Sequence, residues 1–219
     1  MFTGLIRDVG TVVEWARSGS SAKMSIETHL PETDLALGAS VACNGVCLTV
    51  VSQKLNSSRN SFAAEIGPET LALTQFGIDS FSGQGARINL EPAIRMGEAF
   101  GGHVLTGHVD TLATVIENSS CGEGFWKFKL QFDPSFGRFL VKKGSIGVAG
   151  VSLTIADCDR SAGWVEIMLI PHTLQQTNLR EFTEGSCIEV EFDSQAKMVA
   201  EMLENMLPQH LKTIFQEKN

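Results

Sequence analysis

The 219-residue chain has no tyrosine and only six prolines, and its 17 Lys and Arg are outnumbered by 25 Asp and Glu. The resulting net charge of −8 excludes the clustered basic surface that neutralises phosphates, so a nucleic-acid partner is not expected. A small-molecule partner is. Apolar runs are short: no window approaches the ~20 residues a membrane-crossing helix requires, and no membrane role is expected. Met1 leads directly into Phe2-Thr3-Gly4-Leu5-Ile6 without a basic stretch and apolar core, so a secretory signal is not expected and a cytoplasmic location is. The five cysteines, Cys43, Cys47, Cys121, Cys158 and Cys187, are odd in number and read as free thiols. Cys43 and Cys47, four apart, would share one face of a single strand, but nothing nearby completes a zinc site. No metal is expected.

What is present is a chain 43% hydrophobic, with 21 glycines and 13 phenylalanines, the composition of a packed protein rich in turns. Its strongest feature is self-similarity. Phe2-Thr3-Gly4 through Thr11-Val12 returns as Leu105-Thr106-Gly107 through Thr114-Val115. Gly45-Val46-Cys47-Leu48-Thr49-Val50 returns as Gly150-Val151-Ser152-Leu153-Thr154-Ile155, and Pro68-Glu69-Thr70-Leu71 with Thr74 as Pro171-His172-Thr173-Leu174 with Thr177. The offsets are 103, 105 and 103 residues, so the chain is two copies of one unit. The boundary falls in a glycine-bearing connector, giving units 1–97 and 98–193 and a tail 194–219.

Short β-branched runs mark strands at Gly10–Val13, Ser40–Ala42, Leu48–Val51 and Arg87–Leu90. Trp126–Leu130 and Trp164–Met168 alternate as strands with one wet face do. Several short strands per ~90-residue unit point to an all-β fold with short helices: two similar antiparallel Greek-key β-barrels in tandem plus a C-terminal α-helix. Pro68 and Pro171 mark helix starts, because proline suits the first helical position. In the tail, Met198, Met202 and Met206 form one stripe and Val199, Leu203, Leu207 and Leu211 an adjoining one. Asp193 or Ser194 is expected to cap that helix and Pro208 to kink or restart it. The helix either packs on its own barrels or associates with copies of itself, and its surplus of apolar surface favours association.

The copies differ at specific slots: Cys47 stands opposite Ser152, Asn44 opposite Ala149, and Glu69 opposite His172. Unequal residues at matched places suggest two related pockets with different roles. Cys47 suits a thiolate nucleophile, a thiol proton relay or a merely buried cysteine. Lys142 and Lys143, the one adjacent basic pair, suit either a hydroxylated or phosphorylated ligand or a solvated turn.

The opening Met1-Phe2-Thr3-Gly4, the Asn44–Val50 block, Gly101-Gly102-His103 with Gly107-His108-Val109, and Lys143-Gly144 through Gly150–Thr154 resemble the riboflavin synthase α-chain family. The resemblance runs from residue 1 to about 193. It implies an enzyme that moves a four-carbon unit between two molecules of 6,7-dimethyl-8-ribityllumazine, yielding riboflavin and 5-amino-6-(D-ribitylamino)uracil. It also implies no cofactor, a homotrimer with bundled terminal helices, and association with lumazine synthase. The same lineage includes lumazine-binding chromophore carriers without catalytic activity. Residue by residue, the resemblance assigns Gly4, Leu5 and Ile6 as backbone contacts to one lumazine and Phe2 as a contact to its ring. Cys47, Leu48 and Thr49 would meet that same molecule, with Ser40, Glu65, Glu69 and Thr70 completing the pocket. Gly107, His108 and Val109 would also reach a ligand, with His108 as general base, since imidazole titrates near neutrality; His103 reads as structural. Lys143, Ser152, Leu153, Thr154 and the segment Leu169, Ile170, Pro171, His172, Thr173, Leu174 would hold the second lumazine. The catalytic set is therefore Cys47, His108 and Ser152. One departure stands out: the family pattern has aspartate where this chain has Ala149, which would take a carboxylate out of the active site.

Overall fold

The computed structural model describes residues 1–79, 81 and 83–206. In the first copy, β1 (Asp8–Ser18), β2 (Ser21–Thr28), β3 (Ser40–Cys43), β4 (Val46–Lys54), β5 (Asn60–Ile66) and β6 (Arg87–Pro92) close into an antiparallel barrel in the order β1-β2-β5-β4-β3-β6. The second copy repeats that order with β7 (Thr111–Gly122), β8 (Phe125–Gln131), β9 (Ser145–Val148), β10 (Val151–Asp159), β11 (Trp164–Leu169) and β12 (Cys187–Phe192). The two all-β barrels in tandem, with few short helices and a C-terminal helix, are the architecture the repeat predicts. β-Bulges recur at matched places, at Val12/Glu14 and Val115/Glu117 and again at Val50/Ser52 and Ile155/Asp157. These supply the sharp twist that lets so few strands close.

Local sequence explains the connections. Asn44 and Gly45 sit at φ 49° and 84°, the pair of left-handed residues a two-residue hairpin needs. This turn separates Cys43 on β3 from Cys47 on β4, so the expectation that both share one face of one strand is corrected. Cys43 points into the barrel, where burial pushes its thiol far up, and Cys47 lies on the outer face. Ala149 and Gly150 form the matching turn at φ 44° and 77°; the alanine bears a left-handed strain that asparagine or aspartate tolerates better. Pro68 opens α1 (Pro68–Leu73) and Pro171 opens α2 (Pro171–Gln176), as the proline rule predicts.

Each barrel has its own core, with Met24, Ile26, Phe62 and Leu90 in the first and Phe128, Leu130, Ile146 and Val190 in the second. Between them the opening segments of the two copies cross. Phe2 and Leu105 pair through backbone bonds of 2.8 and 3.1 Å. Beyond that pair Ile6 packs against the second barrel's core and Val109 against the first's. A polar cluster completes the interface. Asn44 Oδ1 accepts from Asn89 N (2.8 Å) and from Asn178 Nδ2 of the second copy (3.1 Å). At the matched place Gln75 reaches across and donates through its backbone N and Nε2 to Glu189, both at 3.0 Å. Glu189 and Gln75 each have one methylene more than their counterparts Asn89 and Asn178, and this added length compensates for the side chain Ala149 lacks. Ala149 itself is fully buried at this interface, its carbonyl accepting from Asn89 Nδ2 at 2.9 Å. The expectation that its methyl replaces an active-site carboxylate is therefore corrected: the slot faces the other barrel.

α3 (Ser194–Met206) leaves the second barrel with Asp193 capping it through Gln195 N (2.8 Å). Lys197–Asp110 at 2.9 Å and Arg138–Glu204 at 2.8 Å hold it down. Met198, Val199, Met202, Leu203 and Met206 remain exposed. Leu207, Leu211 and the kink or restart expected at Pro208 lie outside the described residues. Among the described residues no helix is long and apolar enough to cross a membrane.

Candidate functional site

Strand alternation puts Cys47 and Thr49 of β4 on the outside of the first barrel and sends Leu48 inward. Against this outer face lies the connector segment of the second copy, with Cys47 N donating to Gly107 O at 2.9 Å. Cys47, Glu69, Thr70, Leu73, Gly107, His108 and Val109 are among the residues that line a cavity of about 220 Å³ there. Ser40 pairs with Thr49 across β3–β4, while Glu65 is exposed on β5 opposite Lys23.

The second barrel repeats the arrangement with the opening of the chain. Ser152 and Thr154 occupy the outer face of β10, and Ser152 N donates to Gly4 O at 2.9 Å. Leu5 is exposed beside it, and Ile170, Pro171, His172 and Thr173 stand where α1 begins in the first copy. Lys143 is exposed at φ 70°, a left-handed position held by Gly38 in the first copy, with matching bonds Lys143 N to Ile155 O and Gly38 N to Val50 O, both 2.9 Å. A long cationic side chain kept in a strained conformation is a mark of a functional position. The two faces thus differ in charge at matched places, with Glu69 in the first where the second has His172, and Lys143 in the second where the first has Gly38.

This geometry corrects the grouping expected above. Gly4, Leu5 and Ile6 lie with Ser152, not with Cys47 and Thr49, because the two opening segments cross between barrels. Phe2 cannot lie against a ligand ring either; it is 1% exposed, closed in with Leu105 and Ala42 and pressed on Gly107. Leu48, Leu153, Leu169 and Leu174 likewise bury their side chains in barrel cores. These side chains stand behind the outer faces and not on them.

Two carboxylates missed in the sequence hold the crossing segments in place. Glu91 accepts from Thr3 N (2.7 Å), Thr3 Oγ1 (2.7 Å) and Gly4 N (2.8 Å). Glu191 does the same for Thr106 N (2.7 Å), Thr106 Oγ1 (2.7 Å) and Gly107 N (3.1 Å). Burial pushes the Glu91 carboxyl up against the opposing pull of these donors. In β6 and β12 the acids alternate with apolar residues and read as a wet face, but the crossing segments cover them. A further contact is His103 Nδ1 to Ser152 Oγ at 2.6 Å. Among the described residues no group of three or more His, Cys, Asp or Glu is disposed to hold a metal.

Comparison with known proteins agrees with the repeat. The family model described as the lumazine binding domain matches twice, at residues 3–93 and 106–193. Riboflavin synthase of Bacillus subtilis (strain 168) is 35% identical, with 100% of this chain and 99% of that protein covered. Riboflavin synthase of Actinobacillus pleuropneumoniae is 35% identical over 93% of this chain and 90% of its own length. Among solved structures, LumP complexed with riboflavin superposes with a TM-score of 0.72 at 24% identity, covering 88% of this chain and 99% of that one, a likeness of fold. With two matches in register with its two barrels and full-length relatives of this kind, the chain belongs to the lumazine-binding domain family.

Proposed function

We propose that this protein is a riboflavin synthase, converting two molecules of 6,7-dimethyl-8-ribityllumazine to riboflavin and 5-amino-6-(D-ribitylamino)uracil. The observation that carries the reading is that both copies lay a crossing segment against a matched outer strand face, Cys47 N on Gly107 O and Ser152 N on Gly4 O, while the reactive side chains of the two faces differ. A carrier of one chromophore needs one pocket; a reaction between two like molecules needs two, with unequal roles. One molecule lies at Cys47, Thr49, Glu69, Thr70 and Gly107–Val109, the other at Gly4–Ile6, Lys143, Ser152, Thr154 and Ile170–Thr173. Hydroxyls, backbone groups and the Lys143 ammonium suit a ribityl chain and a carbonyl-rich ring. A methyl group beside an electron-poor ring is already acidic, so holding two rings together and managing protons supplies most of the acceleration. His108 serves as base in the first pocket, beside Cys47.

The pockets meet across chains of a cytosolic homotrimer, N-terminal barrel to C-terminal barrel, with α3 as its bundling element. Five large apolar side chains of α3 are 56–75% exposed, a surface a free helix would not keep in water. Replacing Met202 and Leu203 together by glutamate is expected to shift the protein to monomers in sedimentation velocity without unfolding it. An unchanged sedimentation coefficient would remove α3 from the assembly. Cys47→Ser is expected to retain ligand, followed by lumazine fluorescence, and to slow riboflavin formation on the order of tenfold. Unchanged formation would take Cys47 out of the catalytic set, and failure of the unaltered protein to bind the lumazine would overturn the whole reading.

A further inference from the structure

The second pocket contains a hydroxyl where the first has a thiol, and a serine hydroxyl is much the weaker acid. It becomes useful for proton transfer only with a base beside it. His103 is placed to be that base. Its Nδ1 is 2.6 Å from Ser152 Oγ, its backbone N donates to Thr3 O at 3.2 Å, and the residue is 9% exposed. Gly102 permits the approach: a Cβ there would come within 1.9 Å of Thr3 O and 2.9 Å of Ser152 Cβ. His103 Nε2 is buried and has no hydrogen-bond partner among the described residues, so Ser152 is the ring's one polar contact.

Building on the function proposed above, we infer that His103 positions Ser152 and takes up its proton, making the pair the proton relay of the second pocket. With the ring proton on Nε2, Nδ1 accepts from the Ser152 hydroxyl and turns an oxygen lone pair toward the ligand. Ser152 Oγ then accepts a proton from the bound ligand as its own passes to Nδ1, giving an imidazolium, and the reverse transfer restores both groups. Burial holds the imidazole below its ordinary range, favouring the neutral ring the relay starts from, while the negative charge of Asp193 opposes that shift and eases formation of the imidazolium. The two copies have thus diverged into a thiol with His108 on one side and a histidine-backed hydroxyl on the other.

The test uses the full-length protein with 6,7-dimethyl-8-ribityllumazine. His103→Asn keeps a hydrogen-bonding atom near the place of Nδ1 but does not titrate. It is expected to lower kcat at least tenfold, leave KM within about twofold, and alter the acid side of the pH profile. Nitrogen NMR of the histidine rings is expected to show His103 neutral at pH 7 with its proton on Nε2, and the Nδ1 resonance moving on Ser152→Ala. Wild-type kcat and pH profile in His103→Asn would overturn the relay, as would a ring protonated at pH 7 or carrying its proton on Nδ1. If the unaltered protein binds lumazine without forming riboflavin, the proposed function fails and the NMR result alone judges the pair.

Discussion

Glu189→Gln is expected to stabilise the protein at pH 8 by about 3 kcal/mol and to leave its stability at pH 4 nearly unchanged. Glu189 is 1% exposed between the barrels, and burial raises its pKa from 4.5 to about 7 despite hydrogen bonds from its own backbone N–H and from Gln75. A group whose folded pKa lies above its unfolded value contributes most below the unfolded pKa. That contribution declines from about pH 4.5 and is lost as pH rises through about 7. A gap of roughly 2.5 units is worth about 3 kcal/mol. Glutamine has no charge to bury, and its amide pairs with the Gln75 amide once that side chain turns over. Urea unfolding across pH 4 to 8 reads the effect as a difference between the two proteins that opens with pH. Parallel curves would mean the carboxylate is charged at no cost and that the barrel interface is wetter than described.

Gly4→Ala should be nearly silent in composition and severe in effect. Gly4 sits at φ 77°, and an added Cβ would lie 2.5 Å from both the Cβ and the backbone N of Ser152. Left-handed backbone costs an alanine roughly 1–2 kcal/mol, and contact with backbone cannot be relieved by a rotamer change. The segment must lift away, breaking the Ser152 N to Gly4 O bond and opening the second pocket. Riboflavin formation is expected to fall on the order of a hundredfold, with ligand still bound at the Cys47 pocket. Gly19→Ala is the control: its φ is 57° but nothing lies within 4 Å of the added methyl, so it has the backbone strain alone. Equal losses in the two variants would show that the crossing segment does not shape the pocket.

Features set by local chemistry were legible in the sequence. The 103-residue repeat required two like units, and Pro68 and Pro171 opened helices where a proline is preferred. β2 escapes a search for β-branched runs although Ala22, Met24 and Ile26 alternate inward, because Ser21, Lys23, Ser25 and Glu27 dilute that signal. Asn44-Gly45 was a hairpin signal read as strand, which put Cys43 and Cys47 on one face. What lay beyond local reading was the crossing of the opening segments. Nothing in Gly4 or Gly107 says which barrel it will touch, so Gly4–Ile6 was grouped with Cys47 instead of Ser152. Glu91, Glu189 and Glu191 escape sequence reading for the same reason: strand alternation distinguishes inside from outside of one barrel, and the crossing segments and the opposite barrel are what bury that outside. His103 looks structural in the sequence because its partner, Ser152, is 49 residues away.

The most direct test of two complementary pockets is to incubate the purified protein with 6,7-dimethyl-8-ribityllumazine alone and follow absorbance. The account predicts steady riboflavin formation with two lumazines consumed for each riboflavin released. Tight binding with the lumazine spectrum unchanged over time would contradict it and make the protein a chromophore carrier.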